Sequence, residues 1–105
     1  MNNQKNIVLC GVGGQGTVLA SKLLAAAAMS KDIPVMSAET IGMAQRGGSV
    51  FSHLRMGNDL YSPMIETGTA DLIIGFEPGE TVRMLPYLKT GGHVVVSTRA
   101  VKPVT

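Results

Sequence analysis

A chain of 105 residues fits one small domain, and a domain of that size leaves much of its surface in water, so extensive chemistry depends on neighbours. Apolar residues make up 45% of it and charged residues 15%, which supplies a core and argues against disorder. The formal charge of +2 is gathered into no run of lysines or arginines, so a nucleic-acid or membrane-surface role lacks its electrostatic footprint.

The polar residues 1–6 lead into only four apolar ones, Ile7-Val8-Leu9-Cys10, too few for an export signal or a membrane span. Cys10 is the single cysteine, which excludes a disulfide framework and falls short of the four thiolates that usually hold an iron-sulfur cluster. These features are those of a cytoplasmic protein. The apolar run, ended by glycines, is the pattern of a strand buried on both faces of a parallel sheet. Residues 17–29 are rich in alanine and leucine, with Leu19, Leu23 and Ala26 at helical spacing, and predict a helix lying close on that sheet.

Asp32 precedes Ile33-Pro34-Val35-Met36-Ser37, a second strand with its proline among the first residues, which completes a βαβ unit. Residues 41–48 hold three glycines and the pair Gln45-Arg46 and read as a loop. Residues 49–56 alternate, with Val50, Ser52, Leu54 and Met56 on one face and Phe51, His53 and Arg55 on the other, the period of a half-buried strand. Gly57-Asn58-Asp59 turns the chain, and residues 60–65 return as a short antiparallel edge strand, Pro63 included, so a hairpin is expected. Leu72-Ile73-Ile74-Gly75-Phe76 is another buried strand; residues 79–88 form a helix bent near Pro86, and residues 93–97 a last strand. The expected fold is α/β: a Rossmann-like, mostly parallel sheet with flanking helices and an inserted β-hairpin. A single domain over residues 1–105 is expected, C-terminally incomplete because it stops where another crossover helix would follow.

Gly11-Val12-Gly13-Gly14-Gln15-Gly16 satisfies the G-x-G-x-x-G pattern between a strand and a helix, the context in which backbone N–H groups cradle a phosphate. Glu39, after the second strand, is placed to accept from a ribose hydroxyl. Two readings stay open: a dinucleotide site formed by Gly11, Gly13, Gly14, Gln15 and Gly16, or glycines that only permit a tight turn and close helix packing.

The stretch from Gly11 through Thr17, together with Ala38-Glu39-Thr40-Ile41-Gly42-Met43-Ala44-Gln45-Arg46-Gly47-Gly48-Ser49-Val50 and Ser52-His53-Leu54-Arg55, resembles the gamma-type domain of 2-oxoacid:acceptor oxidoreductases, most of all its indolepyruvate:ferredoxin branch. Tyr61-Ser62-Pro63 and Gly75-Phe76-Glu77-Pro78 extend the match in order along nearly the whole chain. The Met-Ala-Gln-Arg-Gly-Gly-Ser-Val stretch is far more specific than the glycine loop. Two features depart from the family pattern: Ile41 stands where members often carry histidine, and the family domain is typically longer by several tens of residues.

The resemblance implies a non-catalytic subunit of an enzyme that oxidatively decarboxylates an aryl 2-oxoacid with coenzyme A, giving acyl-CoA and carbon dioxide and reducing ferredoxin. Thiamine diphosphate and iron-sulfur clusters then belong to the partner alpha subunit, and the glycine loop becomes a structural and interface element. On that view Gln45, Arg46, Gly47 and Gly48 form the loop that docks on the catalytic subunit or approaches its substrate channel. Arg46 either holds a carboxylate or phosphate bidentately or bridges the interface. The alternative function is a nucleotide-binding Rossmann regulatory domain.

The remaining chemistry-bearing residues read as structural. Cys10 is a small core residue, His53 and His93 are ordinary hydrogen-bonded histidines rather than zinc ligands, and Glu66, Asp71 and Glu77 serve turns or caps. No catalytic residue and no metal site is assigned.

Overall fold

The computed structural model describes residues 4–12, 16–41 and 48–97. Five strands form one sheet in the order β2-β3-β1-β4-β5: β1 (Lys5–Val12), β2 (Val35–Ile41), β3 (Ser49–Met56), β4 (Ala70–Gly75) and β5 (Leu88–Val96). Helix α1 (Thr17–Ser30) joins β1 to β2, and α2 (Pro78–Met84), followed by a 3-10 turn over Leu85–Tyr87, joins β4 to β5.

β1 is central because nearly every side chain on it is apolar, so both of its faces seek cover. Ile7 and Leu9 meet Ala20, Leu24 and Ala25 of α1 on one face, while Val8 and Cys10 cluster with Ile73 of β4 and Met84 of α2 on the other. The architecture is therefore helix, sheet, helix. α1 ends where Asp32 takes a left-handed conformation (φ 58°) and Ile33 N–H returns to Ala28 O at 3.0 Å. α2 begins on the side chain of Glu77, whose Oε1 accepts from Glu80 N–H at 2.8 Å, with Pro78 in its first turn. Pro86 lies in the 3-10 turn and ends the α-helix short of the expected residue 88.

The α/β class holds, but the sheet is mixed rather than mostly parallel. β1 pairs in parallel with β4 and β4 with β5, whereas β3 runs antiparallel to both neighbours, β1 and β2. The expected hairpin is also corrected. Residues 60–65 form no strand, because both edges of β3 are already taken by β1 and β2 and no ladder is left to accept them. They instead run as a strap that buries Ile65. β3 keeps the expected alternation, with Val50, Ser52 and Leu54 buried on one face and Phe51 and Arg55 partly exposed on the other, where His53 is the buried exception.

α1 departs from expectation in the face it presents. Thr17, Ser21 and Ala28 are its buried residues, while Leu19 and Leu23 are 61% and 62% exposed. Small side chains let the helix backbone approach the sheet, and the leucines are left pointing away from it.

Candidate functional site

Both stretches that mark the sequence leave from one end of the sheet. Val12 closes β1 opposite Ser49, the first residue of β3, and Val50 lies between Gly11 on one side and Ile41, the end of β2, on the other. β4 and β5 end at the same pole, where Phe76 N–H donates to Cys10 O at 2.8 Å and Ser97 N–H to Gly75 O at 2.9 Å. The chain thus leaves β1 and enters β3 at adjacent points of one pole, although α1 and β2 lie between them in the chain. Gly13, Gly14, Gln15, Gln45, Arg46 and Gly47 lie outside the described residues. Gly48 is half-buried directly before β3, and Gly11 is buried inside β1.

Gly16 is the N-cap of α1 at φ 85°, and nothing lies within 4 Å of where a Cβ would stand. Backbone conformation, not close packing, is what requires glycine there. Among the described residues no side chain caps this helix start, and no acidic residue stands in its first turn. Its free N–H groups and the positive end of the helix dipole suit an anionic group. Thr17 at the same spot is 2% exposed and its buried Oγ1 has no partner. The start of α2, at the same pole, is occupied by the chain's own carboxylate, Glu77.

Glu39 is not brought to the glycine turn. It stands on β2 opposite Ser52, and Ser52 stands opposite Leu9, so a whole strand separates it from β1. Two interstrand spacings amount to roughly 10 Å of lateral displacement. In a dinucleotide fold the strand carrying the acidic residue adjoins the glycine-bearing strand directly; here β3 occupies that place.

Residues 6–105 match the pyruvate ferredoxin/flavodoxin oxidoreductase family. The chain belongs to that family. It is 46% identical over 99 residues to the indolepyruvate oxidoreductase subunit IorB of Pyrococcus horikoshii, covering 94% of this chain and 49% of that one. The chain therefore spans about half the length of the curated relatives it matches. Among solved structures it superposes on the 2-oxoglutarate:ferredoxin oxidoreductase of Magnetococcus marinus with TM-score 0.80 and 20% identity, covering 99% of this chain and 18% of that one. It superposes on the pyruvate oxidoreductase subunit PORC of Thermotoga maritima with TM-score 0.69 and 23% identity, covering 90% and 50%. These likenesses are likenesses of fold.

Within this family member the titratable side chains divide by pole. Cys10, at the motif pole, is fully buried; burial pushes its thiol up, Thr81 Oγ1 at 3.9 Å works to lower it, and Glu80 and Glu77 raise it further. Such a thiol stays protonated and packs as a core residue. His53 is buried and accepts Ile65 N–H at Nδ1 at 2.9 Å, with Tyr87 edge-on at 5.5 Å; His93 lies exposed on β5. No three His, Cys, Asp or Glu side chains converge to hold a metal among the described residues. Glu77 caps as expected, and the backbone O of Glu66 closes a turn with Thr69 N–H.

Asp71 takes part in neither a turn nor a cap. It accepts Asn6 N–H at 2.8 Å and pairs with Lys89. Burial works to raise its carboxyl, but Lys89, Asn6 N–H and Lys5 outweigh that and hold it below the ordinary value. It lines a cleft of about 520 Å³ at the opposite pole, with Gln4, Asn6, Arg55 and Lys89. Arg55 donates there to Asn6 Oδ1, Ser62 O and Gln4 Oε1 at 3.0, 2.9 and 3.1 Å. Sequence reading gave Arg55 no such role, since its partners come from two stretches of the chain that its own strand brings together, residues 4–6 and Ser62. No described helix is long and apolar enough to cross a membrane.

Proposed function

We propose that this chain is the N-terminal part of the non-catalytic, gamma-type subunit of a 2-oxoacid:ferredoxin oxidoreductase of the indolepyruvate type. Residues 1–105 then belong to a single domain. The enzyme oxidatively decarboxylates an aryl 2-oxoacid with coenzyme A, yielding acyl-CoA and carbon dioxide and reducing ferredoxin. The observation that carries this reading is that β1 ends and β3 begins side by side at one pole of the sheet, so that both distinctive stretches of the sequence depart from it. It is supported by a relative 46% identical to this chain that is named for indolepyruvate oxidation.

Thiamine diphosphate supplies the electron sink in such chemistry, and a protein contributes position and electrostatics around it. One buried, protonated cysteine does not fit a cluster of thiolate-bound iron, so the iron-sulfur clusters and thiamine diphosphate are assigned to the alpha subunit. Gln45, Arg46, Gly47 and Gly48 are assigned to contact with that subunit or its substrate channel. The relative from Magnetococcus marinus was solved with coenzyme A bound. An anionic group of that kind suits the uncapped start of α1 beside Gly11, Gly13, Gly14, Gln15 and Gly16. A single buried thiol needs no oxidising compartment, which supports a cytoplasmic setting.

The test is co-expression with the thiamine-diphosphate, iron-sulfur subunit from the same source. Equimolar co-elution, with indolepyruvate- and CoA-dependent ferredoxin reduction, is the expected result. A chain that ignores that subunit and instead gives saturable heat on titration with NAD overturns the reading in favour of a nucleotide-sensing regulatory domain.

A further inference from the structure

The two edges of the sheet are built differently. At one edge β2 carries Ser37 and the charged Glu39, both exposed, and charged side chains are how natural edge strands discourage further pairing. At the other edge β5 begins in the same manner, with exposed Lys89 and Thr90 and an irregular register against β4. From His93 onward that protection ends. Val94, Val95 and Val96 are a continuous β-branched run, all exposed and Val95 by 59%. Such a run is the composition of a strand buried on both faces inside a parallel sheet.

Among the described residues β4 is the one strand that pairs with β5. Ser97 N–H donates to Gly75 O at 2.9 Å, and backbone groups alternate between the two sides of a strand. The N–H and C=O groups of Val94 and Val96 are therefore turned away from β4, to the open edge. The side chain of Val94 shares a face with its register partner Ile73, in the cluster under α2. Val95, opposite Ile74, lies on the α1 face, and α1 itself packs over β1, β2 and β3.

We propose that β5 is an interior strand of the complete subunit: a further strand, from the part of the same subunit that follows residue 105, pairs along Val94–Val96. The proposal rests on the reading of residues 1–105 as the N-terminal part of a longer subunit. Length supplies the occupant. The matched stretch is 49% of the Pyrococcus horikoshii relative and 50% of the single Thermotoga maritima chain on which this fold superposes, so about as many residues again belong to one polypeptide of this kind. Tethering selects that polypeptide over a separate body. The chain runs on from Ser97 at the very end of β5. A segment joined there meets the edge at a roughly millimolar effective concentration if its linker is short, and a free subunit or a second copy has to compete with it.

The test uses the full-length subunit as wild type, Val94→Pro and Val94→Ala. Hydrogen exchange at the Val94 and Val96 amides is followed across protein concentration, with sedimentation alongside, and with and without the catalytic subunit. We expect both amides of the lone monomer to exchange roughly a thousandfold or more slower than an unpaired amide. An edge strand tolerates proline where its N–H faces solvent, and an interior strand does not. Val94→Pro should therefore melt clearly below Val94→Ala, which loses the packing of the same side chain and keeps the N–H. Fast exchange at both amides, in a full-length subunit that binds its catalytic partner and supports ferredoxin reduction, overturns the interior strand and leaves the functional reading standing. Protection that appears only with self-association identifies a second copy, and protection that appears only on adding the catalytic subunit identifies that subunit; either result overturns the proposal. A native subunit of only 105 residues overturns the N-terminal reading and the occupant together. Should Val94→Pro fail to fold, exchange at the wild-type amides decides alone.

Discussion

His53 shows how one buried side chain ties two elements and sets a pH dependence. Its Nδ1 accepts Ile65 N–H, which fixes the neutral ring with hydrogen on Nε2, and that Nε2 is buried without a partner. Protonation puts a hydrogen on Nδ1 against the Ile65 N–H, and burial alone already lowers the histidine from its ordinary 6.5. Below about pH 6.5 the unfolded chain binds a proton that the folded chain refuses, so stability falls as pH falls through that window. Thermal melts from pH 7.5 to 5.5 should show this slope, and His53→Asn, which keeps an acceptor for Ile65, should flatten it. Asp71 acts lower: its carboxyl is depressed, so its contribution is present above the ordinary carboxylate range and is lost on further acidification. Gly75 is fixed by space, since a Cβ there would lie 1.7 Å from Thr81 Oγ1 and 2.8 Å from Thr81 Cβ. Gly75→Ala should cost about 1–3 kcal/mol by chemical denaturation. Adding Thr81→Ala should restore only part of it, because the Cβ contact persists. Cys10, buried in the core, was legible from sequence, since a cysteine ending an apolar strand needs no partner to be placed. His53 was half legible: its hydrogen-bonded state was expected, but its donor comes from a strap that periodicity had assigned to a strand.

At the scale of elements, α2 depends on one cap. Glu77→Ala should destabilise the fold by about 0.5–2 kcal/mol in thermal melts, and Glu77→Asp should avoid most of that loss, since the shorter acid still accepts at the helix start. The strands and helices themselves were legible because their signals are local: a buried apolar run for β1 and β4, and alanine-rich helical spacing for α1. What was not legible was the side each one turns inward. Leu19 and Leu23 marked the helix correctly but face away from the sheet, and spacing alone cannot tell a face turned to the core from one turned to solvent. β3 was recognised by alternation, yet its insertion between β1 and β2 depends on pairings between distant segments that no local pattern encodes. That insertion carries Glu39 away from the glycine turn, which is why an acidic residue at a suitable chain position does not complete a dinucleotide site.

For the molecule as a whole, the two marked stretches were legible as motifs, and that both depart from one pole of the sheet emerges only from the strand order. That order also dictates how the chain assembles itself in time. β2 and β3 pair across residues 42–48, whereas pairing β3 with β1 closes residues 13–48, a loop about five times longer that costs about 1.5 kcal/mol more in closure entropy. The β2–β3 pair is expected to form early, and β1, which alone joins β3 to β4, to lock in afterwards. Stopped-flow measurements should then find that Leu54→Ala slows refolding, whereas Val8→Ala chiefly speeds unfolding. Equal effects on both rates from both sites would reject this sequence of events. The strand at the centre of the finished sheet is thus a late one to take its place, and until it does the chain holds separate β-pairs with no sheet in common.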